Sequence, residues 1–394
     1  MRIALVKPSW RIRGGFEVVV DRVEGELVAA GHAVSRVELD VTALPRTPFG
    51  ISVDDAVWAR SPEWFSHLAM LDAFRAVDVA DADLVLSTQP PSYAVSHPRH
   101  LSLFYHHARA FYDLEDLWID AGRAPRVLHR TAAAMLRDAE ARDLAGVSHF
   151  LAGSTRVVER LRRYQGADVP VSLYESPAPS VADLDTTTYD HVLTVSRHEF
   201  TKRTELVVQA LALGARSGIL VGDGGRLPFV RDLAARIATR VSDPEKLTER
   251  DLWLNLGVVD GVAGTKEPEQ VRIAGRVTDD ELDRLYRTAL CVVAPAYDED
   301  DGLTVLEAMA RARPVIVCRD GGGLTALVQD GVNGLVVEPD GASIAAGIAR
   351  FAADPDLART MGRAALETAR ARTAGRARQQ LLDAVTRVAD GASR

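Results

Sequence analysis

Two glutamates stand eight residues apart across an acidic turn, and they are the strongest chemical signal in the chain. Residues 290–294 form an apolar, strand-like run, residues 298–302 are acidic and end in glycine, and an apolar run with helical spacing follows. Glu307 falls inside that last run, where a carboxylate is costly to bury unless polar groups hydrogen-bond to it. Ribose hydroxyls would suit it, so the pair Glu299 and Glu307 predicts a site for a sugar-containing ligand.

The same acidic run could suggest a metal loop, but its spacing argues against one. An EF-hand needs acids at positions 1, 3 and 5, glycine at 6 and glutamate at 12. Counted from Asp298, Gly302 is fifth and Met309 is twelfth. Asp298 and Asp300 keep the spacing of a magnesium pair as an alternative. Because both lie within the glutamate segment, we predict no metal site.

A second polar cluster follows an apolar run at residues 191–195. Arg197 and Lys202 stand five residues apart, just before a run with helical spacing. Fixed cations at the carboxyl end of a strand suit a diphosphate. The alternative is a solvated basic turn.

Three glycine-containing loops also follow strand-like runs. Gly14 and Gly15 would let the backbone and a helix N-terminus approach an anion. Residues 222–225 resemble a dinucleotide fingerprint, but that pattern requires glycine where the chain has Leu227. Gly275 leaves its backbone free to meet a planar base.

Strand-like and helical runs alternate along the chain, which is typical of parallel sheets flanked by helices. The Pro-, Ser-, Asp- and Thr-rich stretch 176–187 has the composition of a linker. We therefore predict an α/β protein with two Rossmann-like domains facing each other across a cleft. The predicted boundaries are 1–178 for the first domain, 179–190 for the linker, 191–370 for the second domain and 371–394 for a C-terminal helix. Residues 239–270 interrupt the alternation and predict a surface insertion.

Composition excludes several classes of protein. The 394 residues are 47% hydrophobic and 26% charged, with a net charge of −8, which argues against a nucleic-acid binder. Two cysteines, Cys291 and Cys318, lie in apolar runs and are expected to be buried thiols. With no signal-peptide pattern and no long apolar stretch, we expect a cytoplasmic protein. Arginines recur through residues 123–163; a solvated helical face explains them best, and an anionic acceptor or peripheral membrane contact is the alternative.

Taken in order, these motifs resemble those of the retaining GT-B glycosyltransferases of family 4, the glycosyl transferases group 1. Glu299 and Glu307, followed by Ala-Met-Ala, match the family's paired-glutamate signature. The resemblance covers nearly the whole chain and extends to residues 14–17, 31–34, 197–202, 222–224, 275–277, 314–316 and 331–335.

The resemblance implies a role for each motif. Arg197 and Lys202 would hold the donor diphosphate, Glu307 the ribose, and Glu299 the transferred sugar. The remaining donor-binding residues would be Gly14, Gly15, Gly222, Gly275, Arg276, Val277, Gly302, Leu303 and Thr304. The family also carries a site histidine in the first domain; His106 is preferred and His107 is the alternative.

The chain departs from the family in two places. The family usually has Glu-Gly-Phe-Gly where this chain has residues 299–302, which adds carboxylates beside the sugar pocket. That leaves the donor sugar open, and an amino sugar would fit. The family also has glycine near Ala312 and Arg313.

The implied activity is metal-independent transfer from a nucleotide-diphosphate sugar, UDP- or GDP-linked, with no cofactor. The acceptor stays open between a sugar, a natural product and a lipid-linked glycan. The alternatives are an epimerase or hydrolase of the same fold, or a non-catalytic nucleotide-binding partner of a transferase. The missing glycine fingerprint argues against an NAD-dependent dehydrogenase. The Ala- and Arg-rich composition with few lysines favours a bacterial source.

Overall fold

The chain divides into two compact units, which are described separately. The computed structural model describes residues 1–11, 14–181, 184, 188–214, 216–259 and 268–391. The first unit is Met1–Ser176 together with Ala374–Arg394, and the second unit is Pro177–Thr373. Parts of the predicted linker (182–183 and 185–187) and of the predicted insertion (260–267) lie outside the described residues.

The described residues of the first unit form a six-stranded parallel sheet of order β2-β1-β3-β4-β5-β6. Its strands are β1 Arg2–Ser9, β2 Ala33–Asp40, β3 Leu84–Ser87, β4 His100–Phe104, β5 His149–Ala152 and β6 Val171–Leu173. Its helices are α1 Gly15–Ala29, α2 Asp55–Trp58, α3 Pro62–Arg75, α4 Glu115–Asp120, α5 Arg126–Ala145 and α6 Thr155–Gln165. Short 3-10 turns occur at Val41–Ala43, Pro48–Gly50, Ser92–Ala94 and Arg109–Phe111.

The last helix of the chain, α14 (Ala374–Ala389), belongs to the first unit. It packs against α1 and against strands β4, β5 and β6. Arg376 pairs with Glu175, and Arg378 donates to Glu26 of α1 at 3.2 Å. Nothing in the sequence assigns this helix to either half of the chain.

The second unit repeats the design, and its described residues form a six-stranded parallel sheet of order β12-β11-β10-β7-β8-β9. The strands are β7 His191–Val195, β8 Gly218–Val221, β9 Val271–Gly275, β10 Ala289–Ala294, β11 Val315–Cys318 and β12 Gly334–Val337. The helices are α7 Thr204–Leu213, α8 Leu227–Ala238, α9 Glu249–Leu252, α10 Asp279–Thr288, α11 Leu303–Ala310, α12 Gly341–Ala353 and α13 Pro355–Ala371. Short 3-10 turns occur at Phe200–Lys202 and Thr325–Leu327.

Burial explains why these runs become central strands and covering helices. In β1, residues 3–8 are all buried, and β3, β5 and β11 are buried throughout, as expected for a sheet covered on both faces. Cys291 and Cys318 are buried among such strands, and burial raises the pKa of each thiol to about 12. The α/β class predicted from the alternation is confirmed.

Two local expectations are corrected. Gly15 was placed in a tight loop, but it is the first residue of α1, and Gly14 is the N-cap. The stretch 239–270 was predicted to be a surface insertion, yet Leu252 and Trp253 are only 2% and 3% exposed. The reason is that Trp253 packs against Phe200 and Tyr297 of the same unit.

The predicted linker is partly ordered against the second unit. Ala178 and Val181 pack on that unit's core, and Ala178 N donates to the Arg372 carbonyl at 3.0 Å. Among the helices of the described residues, none has both the length and the apolar composition needed to cross a membrane.

Candidate functional site

The predicted site residues of the second unit gather at the carboxyl edge of its sheet. Strand β7 lies between β10 and β8; the chain leaves β7 toward β8 on one side and returns on the other side as β10. This reversal is a topological switch point, where α/β sheets open a crevice for ligands. The loops after β7 and β10 carry Arg197, Lys202 and Glu299 to it.

Lys202 and Glu299 meet directly across the switch point. The ammonium of Lys202 donates to Oε2 of Glu299, and each side chain is about one-fifth exposed. The two loops that carry this pair are joined by a backbone hydrogen bond, which Tyr297 N donates to the Thr201 carbonyl at 2.7 Å. This bond keeps Lys202 and Glu299 close together. The sequence separates the two residues by 97 positions, and the structure brings them together.

Arg197 is the exposed cation of the same loop. Its guanidinium forms no hydrogen bond or ion pair with any residue that the structure describes, and the side chain is exposed. A fixed charge without an internal partner is available to an anionic ligand.

Glu307 lies in α11, the helix that follows the acidic turn. Its Oε2 accepts a hydrogen bond from the Tyr286 hydroxyl at 2.8 Å. Burial raises the pKa of Glu307, while the hydroxyl of Tyr286 and the charge of Arg311 oppose that rise. Its partner in the free protein is therefore a hydroxyl group, the type of partner that the sequence predicted for it.

The N-terminus of α11 offers fewer free amides than expected. Gly302 N donates to Oδ1 of Asp301 at 2.8 Å, so this amide is occupied in the free protein. The amides of Leu303 and Thr304 form no hydrogen bond with other described residues. Gly302 is also required by packing, since a Cβ there would collide with Leu327.

The glycine loop after β8 packs tightly against the loop after β7. Gly222 has a φ of +135°, and a Cβ on it would collide with the Ser196 carbonyl. Its amide donates to the carbonyl of Gly275 at 2.8 Å. Close packing of the loops thus explains the glycine at 222. Beside it, Arg276 is exposed and pairs with Asp223 at 3.2 Å, while Val277 packs on the core.

A buried arginine that the sequence did not single out joins three of these loops. Arg203 is fully buried; its Nε donates to the Pro295 carbonyl at 2.7 Å, and its two terminal nitrogens donate to Asp320 at 2.8 and 2.6 Å. Its guanidinium lies 5.2 Å from the ring centre of Trp253 and 5.5 Å from that of Tyr297. The ends of β7, β10 and β11 are thereby fixed to one another.

The structure also explains why this chain has Ala312 and Arg313 where the family usually has a glycine. Arg313 is fully buried and donates to the carbonyls of Thr188 and Ala289 at 2.8 and 2.9 Å. Ala312 adopts a φ of +54°, a conformation that glycine adopts more easily. These contacts lie near the start of β10, at the opposite edge of the sheet from Glu299.

The first unit has a switch point of its own, between β1 and β3. Gly14 and Gly15 follow β1 and begin α1. Oε2 of Glu17 accepts from the Gly14 amide at 2.9 Å, which closes the first turn of the helix. The glycines therefore stand at a helix N-terminus, as the sequence indicated.

The two candidate histidines differ sharply in environment. His107 is fully buried and stacks on Tyr112 with ring centres 4.3 Å apart; burial lowers its pKa to about 4. His106 is half-buried, and its Nδ1 donates to the His107 carbonyl at 2.7 Å. Because His107 is enclosed by aromatic rings, His106 is the better placed of the two to contact a ligand.

In the part of the chain that the structure describes, no group of three His, Cys, Asp or Glu side chains has the arrangement of a metal site. Asp298 and Asp301 are both buried in the turn.

Comparison with known proteins finds a family match within the second unit. The family model "Glycosyl transferases group 1" matches residues 263–368, which include Gly275, Glu299 and Glu307.

Curated proteins similar to part of this chain are named D-inositol 3-phosphate glycosyltransferases. The protein from Kribbella flavida is 35% identical over 178 residues, which is 40% of this chain and 41% of the relative. The protein from Nocardiopsis dassonvillei is 33% identical over 200 residues, which is 46% of this chain and 45% of the relative. The matched segments thus span less than half the length of these relatives.

Solved structures match nearly the whole chain in fold. Sucrose-phosphate synthase from Thermosynechococcus elongatus superposes with a TM-score of 0.69 over 97% of both chains, at 21% identity. Anabaena HepE, solved with UDP and glucose, gives 0.64 over 98% of this chain and 99% of its own, at 16% identity. The GT-B fold expected from the motifs is confirmed.

Proposed function

We propose that this chain is a retaining glycosyltransferase that moves a sugar from a nucleotide-diphosphate donor to an acceptor hydroxyl without a bound metal. The observation that carries the proposal is the Lys202–Glu299 pair beside the unpaired Arg197, at the switch point of the second unit's sheet. A carboxylate and cations gathered at a switch point support a site for a sugar and a diphosphate.

Each side chain has one task in this proposal. Arg197 offers a bidentate guanidinium and Lys202 a point charge to the diphosphate, and the amides of Leu303 and Thr304 add a helix N-terminus. Glu299 binds the transferred sugar and Glu307 the ribose. Gly275, Arg276 and Val277 line the base, and His106 is the candidate site histidine of the first unit.

The departing nucleotide explains why positive charge at this site would contribute most to catalysis. When the bond between the sugar and the diphosphate breaks, negative charge builds on the diphosphate, and groups already in place stabilise it without reorganisation. Departure of the nucleotide and attack of the acceptor on the same face of the sugar would retain the anomeric configuration.

Nucleotide release from UDP-, GDP- and dTDP-sugars tests the proposal. UDP-glucose is the first donor to try, because HepE shares the fold and was solved with UDP and glucose. D-inositol 3-phosphate is the first acceptor to try, after the activity in the relatives' names. We expect acceptor-dependent nucleotide release and a product whose anomeric configuration, read by NMR, matches the donor's.

Other outcomes point to other functions. Conversion of the donor without an acceptor would favour an epimerase or hydrolase. Nucleotide binding without turnover of any donor would favour a non-catalytic partner. An inverted product would contradict the retaining mechanism.

We predict that turnover does not need a divalent metal, because Arg197, Lys202 and the α11 amides supply the positive charge. Donor turnover is measured after exhaustive EDTA treatment, with and without added magnesium or manganese. Rates within about twofold of each other are expected. A fall of more than about tenfold that metal restores would assign over roughly 1.4 kcal/mol of transition-state stabilisation to a cation, and Arg197 and Lys202 would lose their main role.

A further inference from the structure

The carboxylate of Glu307 is held by a tyrosine from a neighbouring helix. Tyr286 of α10 is 1% exposed, and its hydroxyl donates to Oε2 of Glu307 in α11 at 2.8 Å. The other oxygen, Oε1, forms no hydrogen bond with any described residue. One oxygen of the carboxylate is therefore fixed by the protein and the other is available.

The hydroxyl of Tyr286 keeps its proton across the physiological range. Burial and the nearby charge of Glu307 raise the pKa of Tyr286 well above its usual value. A protonated phenol can only donate to a carboxylate, so the bond has a fixed direction.

Among the described residues, the other charged groups near the pair are Arg311, which directly follows α11, and Asp283 and Arg287 of α10. The Arg311 guanidinium lies 5.0 Å from the ring centre of Tyr286 and is bound by Asp283, which also pairs with Arg287. The other elements packed against α11 contribute apolar groups to the shared core, including Ala365 and Ala369 of α13.

We propose that Tyr286 is a positioning residue for nucleotide binding, fixing Oε2 of Glu307 so that Oε1 accepts a hydrogen bond from a ribose hydroxyl. The inference rests on the proposed function, because it needs Glu307 to bind ribose. It assigns to Tyr286 an effect on the nucleotide, although the tyrosine itself is buried and need not touch it.

Tyr286→Phe removes the hydroxyl and keeps the ring. Without this donor, less opposes the effect of burial on Glu307, so its carboxyl group takes up a proton at higher pH than in the wild type. A neutral carboxyl accepts the ribose hydroxyl less well. UDP affinity should therefore fall more steeply as the pH is lowered.

The experiment is calorimetric titration of the full chain with UDP between pH 5.5 and 8.5. We expect Tyr286→Phe to weaken UDP binding more at pH 5.5 than at pH 8.5, by up to about fivefold, the scale of one lost hydrogen bond. In donor kinetics KM should rise, while kcat stays within about twofold.

Tyr189→Phe is the matched control. Tyr189 lies before β7, at the opposite edge of the sheet, and its buried hydroxyl has no hydrogen-bond partner in the described part of the chain. Both variants lose one buried hydroxyl, but only Tyr286→Phe should change the pH profile.

The results separate this inference from the function on which it rests. If the wild type binds UDP and Tyr286→Phe changes the affinity by the same factor at every pH, or not at all, the inference alone is overturned. No binding of UDP, GDP or dTDP by the wild type, or unchanged affinity in Glu307→Gln, would overturn the ribose assignment and the inference with it.

Discussion

Glu299→Ala is expected to abolish sugar transfer, with a fall in turnover of more than about 100-fold, the scale measured when one preorganised polar group is removed from an active site. Nucleotide affinity should stay within about tenfold, or roughly 1.4 kcal/mol, because Glu299 acts on the sugar. The loss of Glu299 also releases Lys202 from its ion pair, which leaves that cation free for the diphosphate. Donor turnover and calorimetry with free nucleotide measure the two effects.

Glu338→Ala provides the control for this variant. Glu338 lies in the same unit and also pairs with a cation, Arg319, but both side chains are more than half exposed. Exposed pairs of this kind contribute little to stability, about 0–1 kcal/mol, so the control should retain its turnover. If Glu299→Ala transfers sugar at a near-wild-type rate, the assignment of Glu299 to the transferred sugar is wrong.

Arg203→Met is expected to lower the free energy of unfolding more than the other arginine substitutions considered below. The substitution leaves the Pro295 carbonyl and the Asp320 carboxylate without their buried partner. Breaking a fully buried ion pair costs about 3–5 kcal/mol, and because Asp320 is one-third exposed we expect about 2–4 kcal/mol. The measurement is the free energy of unfolding of the second unit in denaturant, followed by donor turnover under folding conditions.

Arg319→Met is the matched control, since Arg319 is an exposed arginine of the same unit paired with a single glutamate. It should lower the free energy of unfolding by less than about 1 kcal/mol. Equal losses in the two variants would show that Arg203 does not hold the three strand ends together. Arg203→Lys keeps the charge but not the bidentate geometry, and should recover only part of the stability.

The alternation of the sequence predicted the fold because each central strand is buried along its length. β11 (Val315–Cys318) is an unbroken apolar run, and α10 begins at a capping residue, Thr278, which accepts from the Glu281 amide at 3.2 Å. Signals of this kind are local, because each is contained in one short segment of the sequence.

The support of the site could not be predicted in the same way. Arg203 follows Lys202 directly, so the local sequence predicts a second exposed cation there. The residues that enclose it, Asp320 and Trp253, lie 117 and 50 positions away in the sequence. Trp253 itself falls in a stretch whose charged and glycine-rich composition indicates surface. Burial of an arginine depends on partners brought together by the tertiary fold, and a local pattern does not contain that information.

The first unit is discontinuous in sequence, and this affects how the chain folds as it is synthesised. A ribosome makes residues 1–176 first, yet the apolar face that α14 covers stays open until residues 374–389 emerge. The second unit, Pro177–Thr373, is continuous and can close as soon as it leaves the ribosome. The part of the protein translated first is thus the last to be completed, and throughout translation of the second unit its exposed apolar surface is available to chaperones.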